Sequence, residues 1–359
     1  MDKEYISGKQ CTFLLIGSIV GISLMLVPSF VITIAKQDAW LAPWLGAFPG
    51  LLLIVLLVSL NKMYPGQSLI QYSTAILGLP GYFLGLIILW FLLLLGALNL
   101  RGIVGFVTNV ILFETPQLVI YFFTTLLCAY GIKLGLEVMA RAFNLIIFIT
   151  IILTLIVQVF SMSNADYSNI LPILSHGPLP VIHSGLIFTA FPVGEVLIIF
   201  SMIICQVKHS QGMVGKLSLG LIFALFLLFL VITRAIILLG PDRASENIYT
   251  LVAVANTIPG TSVFLPFFTL NWFVFSLCQF IFCYYAFVTG VSHWFKLSDY
   301  RPLILPSGPL FIALGIYIFD NPVQAAAFRS SIYPIYALPI VFGIPLLLWV
   351  AAVIKRKLR

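Results

Sequence analysis

The sequence predicts an all-α polytopic membrane protein of about ten transmembrane helices, built as two five-helix halves of opposite topology. Three observations carry that expectation. Apolar runs long enough to cross a bilayer recur along the whole chain, in a composition that is 62% hydrophobic and 8% charged with a mean hydropathy of +1.16. The cations gather on one side of the alternating runs. Two runs, five apart, carry helix-breaking residues at mid-depth.

The runs lie at approximately 11–35, 41–60, 82–113, 117–134, 138–160, 182–206, 215–240, 263–290, 303–319 and 333–354. Each is close to the roughly 20 residues that a crossing needs. The run over 82–113 is long for one crossing and predicts tilt. No soluble domain fits in the connections. Residues 1–359 therefore read as a single transmembrane domain, with a first half over 11–160 and a second over 182–354. The N-terminus shows no cleavable signal pattern, because its first apolar segment runs too long and reads as a span. Leu69–Ile76 reads as a short helix lying along the membrane, and Ser161–His183 and Pro241–Pro259 as long connections.

Several function classes fall away. The net charge of +7 is no nucleic-acid signal, because the basic residues sit at helix ends and in loops. Cys11, Cys128, Cys205, Cys278 and Cys283 are scattered within or beside spans and read as small packing residues. His176, His183, His209 and His293 lie in loops or at helix ends without metal spacing. No phosphate-cradling Gly-rich loop, zinc motif or Ser-His-Asp arrangement is visible. The expectation is a non-enzyme with no cofactor and no metal.

Orientation follows from the cations. With the N-terminus in the cytoplasm, the inner side takes Lys3, Lys9, Lys62, Lys133, Arg141, Lys208, Lys216, Lys296, Arg301, Lys355, Arg356, Lys357 and Arg359. The outer side takes Lys36, Arg243 and Arg329. That bias places both termini in the cytoplasm. Arg101 and Arg234 fall inside spans. Arg234, some seven residues from Pro241, is expected to snorkel to the outer surface. Tyr284 and Tyr285 are expected to serve as interfacial anchors.

The two interruptions are the candidate site. The first span carries Gly21, Ile22 and Ser23 at mid-depth, with Pro28 further on. The sixth carries Phe191, Pro192, Val193, Gly194 and Glu195 inside an unbroken apolar stretch. Pro192 removes a backbone donor, and Gly194 lets the chain leave helical geometry. Backbone groups freed in this way must face protein or a watery cavity, because lipid cannot satisfy them. Glu195 at that depth costs roughly 2.5 kcal/mol or more unless paired, protonated or wet. Glycine and proline also serve plain helix packing in membranes, but paired breaks in corresponding helices point to a site between inverted repeats.

Arg101 lies about 13 residues, or roughly 20 Å, from the end of the third run at Glu114. It is expected to face the bundle interior, with Glu195 as its partner. The pair is either a structural ion pair or a ligand clamp, Arg101 for a carboxylate and Glu195 for an ammonium. Asn271 and Trp272 open the eighth span, with Ser276 on the same general face, and such a span would line the site. The surroundings of Gly21 and Gly194 read as mainly apolar, which suits a small neutral amino acid.

Ordered motifs along the chain give a resemblance. Ile6-Ser7-Gly8-Lys9-Gln10, the broken Gly21–Pro28 segment, Asp38-Ala39-Trp40, Tyr64–Tyr72 followed by Leu77-Gly78, and Phe191–Glu195 together resemble the spore germination permeases. These are the B-type subunits of nutrient germinant receptors, within the amino acid–polyamine–organocation superfamily. The resemblance implies a LeuT-like five-plus-five fold with helices one and six broken. It implies an amino acid or similar nutrient held between helices one, three, six and eight. It further implies an A-type membrane subunit and a C-type lipoprotein as partners in the spore inner membrane.

The leading expectation is thus a nutrient-binding receptor subunit, with Gly21, Ile22, Ser23, Arg101, Phe191, Pro192, Val193, Gly194, Glu195 and Ser276 as ligand-binding residues. The alternatives are an amino acid secondary transporter with real substrate flux, and a scaffold whose site has degenerated.

Overall fold

Local chemistry sets the helix ends, and apolar runs set what lies between them. The structure, a computed structural model, describes residues 5–21, 23–160, 165–208, 211–247, 249–257 and 261–357. Helix α1 (Gly8–Val20) opens on a capping box: Ser7 Oγ accepts from the Gln10 N–H, and the Gln10 side chain accepts from the Ser7 N–H. It stops at Gly21. Helix α2 (Ser23–Ala35) starts afresh and carries Pro28; Ile22 lies outside the described residues. A tight turn over Lys36–Leu41 leads into α3 (Ala42–Met63). The short helix expected after it is α4 (Leu69–Leu77), where Gln71 again accepts from the Ser68 N–H.

Helix α5 (Leu79–Phe106) runs on through a wider turn to Ile111, followed by α6 (Gln117–Leu134) and α7 (Leu136–Phe160). The next apolar stretch is α8 (Leu179–Phe188), an interruption, and α9 (Glu195–Ile203). Then come α10 (Met213–Leu239), two short helices α11 (Pro241–Glu246) and α12 (Thr250–Ala255), α13 (Thr261–Trp294) and α14 (Ile304–Tyr317). The chain closes with α15 (Pro322–Ala327), α16 (Tyr333–Leu338) and α17 (Ile344–Lys357), joined by helical turns over Phe328–Ile332 and Pro339–Gly343.

Among the described residues, eight helical stretches are long and apolar enough to cross a membrane, and Gly8–Val20 and Arg301–Tyr317 are shorter apolar helices. This is a multi-pass membrane protein. The stretch Ser23–Met63 has 41 residues. At about 1.5 Å per residue it would be twice the thickness of a bilayer core. The turn at Lys36–Leu41 divides it into α2 and α3, each close to one leaflet or one crossing in length.

Burial sorts the helices into centre and rim. The most apolar window of Leu179–Gln206 is 100% buried and that of Thr269–Trp294 is 83% buried, against 33% for α6 and for α7. The interruption between α8 and α9 is therefore central, while α6 and α7 turn their apolar faces outward as lipid-facing helices do. At the end of the bundle that carries most of the cations, Ile6–Ser7 (β1) pairs in parallel with Val207–Lys208 (β2). That short ladder ties the lead-in of α1 to the chain leaving α9.

Three expectations are corrected here. Arg234 does not snorkel: it is 1% exposed, because α11 and α12 pack over the end of α10. Tyr284 and Tyr285 are not interfacial anchors. Both are fully buried, with the Tyr284 hydroxyl bonded to the Ile304 carbonyl and the Tyr285 hydroxyl donating to Gln206 Oε1 at 2.8 Å. A buried phenol needs such a partner. The last helical stretch also begins before residue 333, so that Arg329 belongs to a helical turn and not to a connecting loop.

Candidate ligand-binding site

The second interruption is built by one extended residue. Phe191 has φ −133° and ψ 115°, so the helix cannot pass through it, and the Phe191–Pro192 peptide is cis. Helix α9 then starts at Glu195. A helix N-terminus presents free N–H groups and favours a carboxylate in its first turn. Glu195 nevertheless sits at 0% exposure, and Phe191, Pro192, Val193 and Gly194 are buried with it.

Gln279 of α13 connects the two interruptions. Its Nε2 donates to Glu195 Oε2 at 3.3 Å. A Cβ at Gly21 would lie 2.5 Å from Gln279 Oε1, so the amide rests against the first break where only glycine fits. A Cβ at Gly194 would lie 2.7 Å from Val341 Cγ1. Gln279 thus brings an amide to Gly21, a polar group in surroundings expected to be mainly apolar.

Arg101 does not pair with Glu195. Its Nη1 donates to the carbonyls of Gly315 at 2.9 Å and Ile316 at 3.2 Å, and its guanidinium lies 5.8 Å from the Phe319 ring centroid. The reason is the end of α14. The last four carbonyls of a helix lack intrahelical partners, and a cation there also meets the negative end of the dipole. Tyr121 donates to the same Gly315 carbonyl at 3.1 Å.

The cation beside Glu195 is Arg329. Its guanidinium lies 4.4 Å above the Phe191 ring centroid, and its charge bears on the Glu195 carboxylate. The Tyr333 hydroxyl faces the same carboxylate, and its ring meets Phe191 edge-on at 6.4 Å. None of these contacts closes the network. Glu195 Oε1 and Arg329 Nη1 and Nη2 are buried with no close hydrogen-bond partner among the described residues, and the Tyr333 hydroxyl is the donor turned toward Glu195. Arg329 also lines a cavity of about 170 Å³ with Arg101, Asp320, Asn109, Tyr121 and Tyr249.

A profile of the spore germination protein family matches residues 5–323. The chain belongs to that family. Spore germination protein KB of Bacillus subtilis (strain 168) is 29% identical over 374 residues, spanning 100% of this chain and 97% of its own. Spore germination protein YndE of the same organism is 24% identical over 306 residues, 81% of either chain. Among solved structures, the crystal structure of MhsT in complex with L-phenylalanine matches with a TM-score of 0.71. It covers 98% of this chain and 100% of MhsT at 12% identity. Such a likeness speaks for fold alone, and the fold is LeuT-like.

In this germination protein the predicted site residues divide into groups. Gly21, Phe191, Pro192, Val193, Gly194 and Glu195 flank the two breaks, and Gln279 links the breaks. Ser23 and Ser276 are fully buried, and each hydroxyl lacks a partner among the described residues. Arg101 stands apart at the cavity wall. Sequence reasoning missed Gln279, Arg329 and Tyr333. Gln279 had a signal, since it extends the polar series Asn271 and Ser276 along an apolar span. Arg329 and Tyr333 did not, because the Arg329-Ser330-Ser331 cluster ends the apolar run and looks like the edge of a loop.

Proposed function

We propose that this spore germination protein is the nutrient-binding subunit of a germinant receptor, using a transporter-like fold to sense an amino acid. The observation that carries the reading is Glu195: a carboxylate at 0% exposure, at the start of a half-helix, with one oxygen unpartnered among the described residues. Burying such a group costs several kcal/mol unless a partner is supplied. An ammonium held at the break would supply it. Half-helix ends at Gly21 and Glu195 would take the remaining polar groups, as midplane sites in LeuT-like folds allow.

In this reading the elements form ten crossings, with α1 and α2 together making the first, and α8 and α9 the sixth. The halves over 11–160 and 182–354 are inverted repeats. The cation-rich end and both termini are cytoplasmic, by the positive-inside bias. The membrane is the spore inner membrane, and an A-type membrane subunit and a C-type lipoprotein are the partners. Binding signals only where ligand favours one of two conformations. The movers are the half-helices, with the β1–β2 ladder holding their basic ends together.

Ligand-induced thermal stabilisation of the purified chain, screened over amino acids, sugars and nucleosides, tests this directly. Saturable binding stabilises by roughly 2.7 kcal/mol at a hundredfold excess over Kd. A selective shift lost in Glu195→Gln supports the site; a well-folded protein that responds to none of these classes overturns it.

A second reading, an amino acid secondary transporter, is favoured by the LeuT-like fold itself. Uptake of labelled substrate into proteoliposomes holding this chain alone separates turnover from sensing.

A further inference from the structure

Two opposite charges are buried side by side in this protein without forming an ion pair. Arg329 is 4% exposed and Glu195 is 0% exposed. Among the described residues the ion pairs are Lys36–Asp242 and Arg141–Glu137, so neither buried charge belongs to one. Both terminal nitrogens of Arg329 and one oxygen of Glu195 lack hydrogen-bond partners there. The large majority of buried side-chain polar atoms in folded proteins are paired. An unpaired buried charge is the most costly exception, because desolvation is paid without a compensating contact.

The surroundings say what would satisfy them. The guanidinium face is occupied by the Phe191 ring at 4.4 Å, which leaves the in-plane N–H fork for an acceptor. That fork matches a planar carboxylate, which it binds with two parallel hydrogen bonds. Glu195 is an acceptor when ionised, and its Oε1 has room for a donor beyond the Gln279 amide. The Tyr333 hydroxyl is a donor turned toward the same carboxylate. Arg329 also lines the cavity of about 170 Å³, well below the roughly 300–1,000 Å³ of pockets for drug-sized ligands, while Glu195 is not among the residues that line it. A small molecule carrying both an ammonium and a carboxylate fits these demands; a sugar or a nucleoside leaves both charges unmatched.

We propose that Arg329 and Glu195 are the two poles of a zwitterion site, Arg329 taking the carboxylate and Glu195 the ammonium of a small amino acid, with the Phe191 ring as the apolar divider. This inference rests on the nutrient-binding reading above, and it moves the carboxylate partner from Arg101 to Arg329. It makes the ligand class a free amino acid and makes both ends of the ligand indispensable.

The test uses the full chain in detergent and a panel of L-amino acids, with D-glucose and inosine as ligands of other classes. For each amino acid that stabilises the protein, the deaminated acid and the decarboxylated amine are measured alongside. The expected result is that each one-ended analogue binds at least about tenfold more weakly, as the loss of a charged hydrogen-bond partner implies. Arg329→Gln should weaken the amino acid by a similar factor, with Arg329→Lys recovering part of the loss. The analogue series on the unaltered protein keeps the test decisive if either variant fails to fold. An amino acid that binds a well-folded Arg329→Gln protein unchanged overturns the role of Arg329 and leaves nutrient binding standing. Stabilisation by glucose or inosine and by no amino acid overturns the zwitterion site in the same way. Silence from every ligand removes the nutrient-binding reading itself, and this inference with it.

Discussion

Two arginines line one cavity and lead opposite lives. Arg101 is anchored: its guanidinium closes the end of α14 through the carbonyls of Gly315 and Ile316, and Tyr121 adds a third bond to that helix end. Arg329 rests on an aromatic face with both terminal nitrogens unpartnered among the described residues, next to a carboxylate that is itself half-satisfied. The same side chain closes a helix end in one place and keeps both terminal nitrogens without a partner among the described residues in the other. The difference lies in what faces it, a helix terminus with orphan carbonyls against a helix interruption with an orphan acid.

The comparison can be broken most decisively at Glu195. Glu195→Gln keeps the Gln279 contact possible but removes the negative pole. The nutrient dose–response of germination should be abolished or displaced by orders of magnitude while assembly with partners persists. A normal dose–response in that variant would end the role given to Glu195.

The next largest contrast sets the arginines against each other. Arg101→Leu leaves the α14 carbonyls exposed to an apolar environment and should destabilise the protein by roughly 1.5–3 kcal/mol, with the Kd for ligand unchanged. Arg329→Leu takes away the cation whose charge bears on buried Glu195 and its contact with Phe191, so ligand binding should be lost and the ligand-free protein should lose stability as well. Thermal unfolding with and without ligand reads both effects. An unchanged Kd in a well-folded Arg329→Leu protein would show the two arginines to be alike.

Smaller effects sharpen the anchored side. Tyr121→Phe removes one neutral hydrogen bond to Gly315 and should cost about 0.5–1.5 kcal/mol without altering binding. At the surface, Lys36 and Asp242 form an ion pair at 2.9 Å between the turn after α2 and α11. Because both side chains are substantially exposed, Lys36→Ala should cost only about 0.2–1 kcal/mol, and less in high salt. A larger loss would mean that this contact holds α11 over the bundle.

Much of the architecture was legible because hydropathy and backbone breakers are local signals. The run expected at 117–134 is α6 to the residue, and the short helix after Tyr64-Pro65-Gly66 is α4. Ser7 and Ser68, each three residues before a glutamine, mark helix starts through capping boxes. Glu195 stood out because a carboxylate inside a long apolar run is costly wherever the chain folds. The edges failed where the signal was ambiguous. Arg329 with Ser330 and Ser331 looked like the end of a span, although the helical turn passes through them.

The sequence by itself determined the membrane-spanning helical class, the helix-breaking residues Gly21, Pro192 and Gly194 within apolar runs, and the isolated acid Glu195 beside the second set. Composition, proline and glycine act within a few residues, so no partner need be known to read them. Only the tertiary structure decided which groups meet. It gave Arg101 to the end of α14, buried Arg234 beneath α11 and α12, turned Tyr284 and Tyr285 inward, and brought Gln279, Arg329 and Tyr333 to the break. A charge or a hydroxyl in a span must find a partner, but which one depends on helices far apart in sequence, and only their packing fixes that choice.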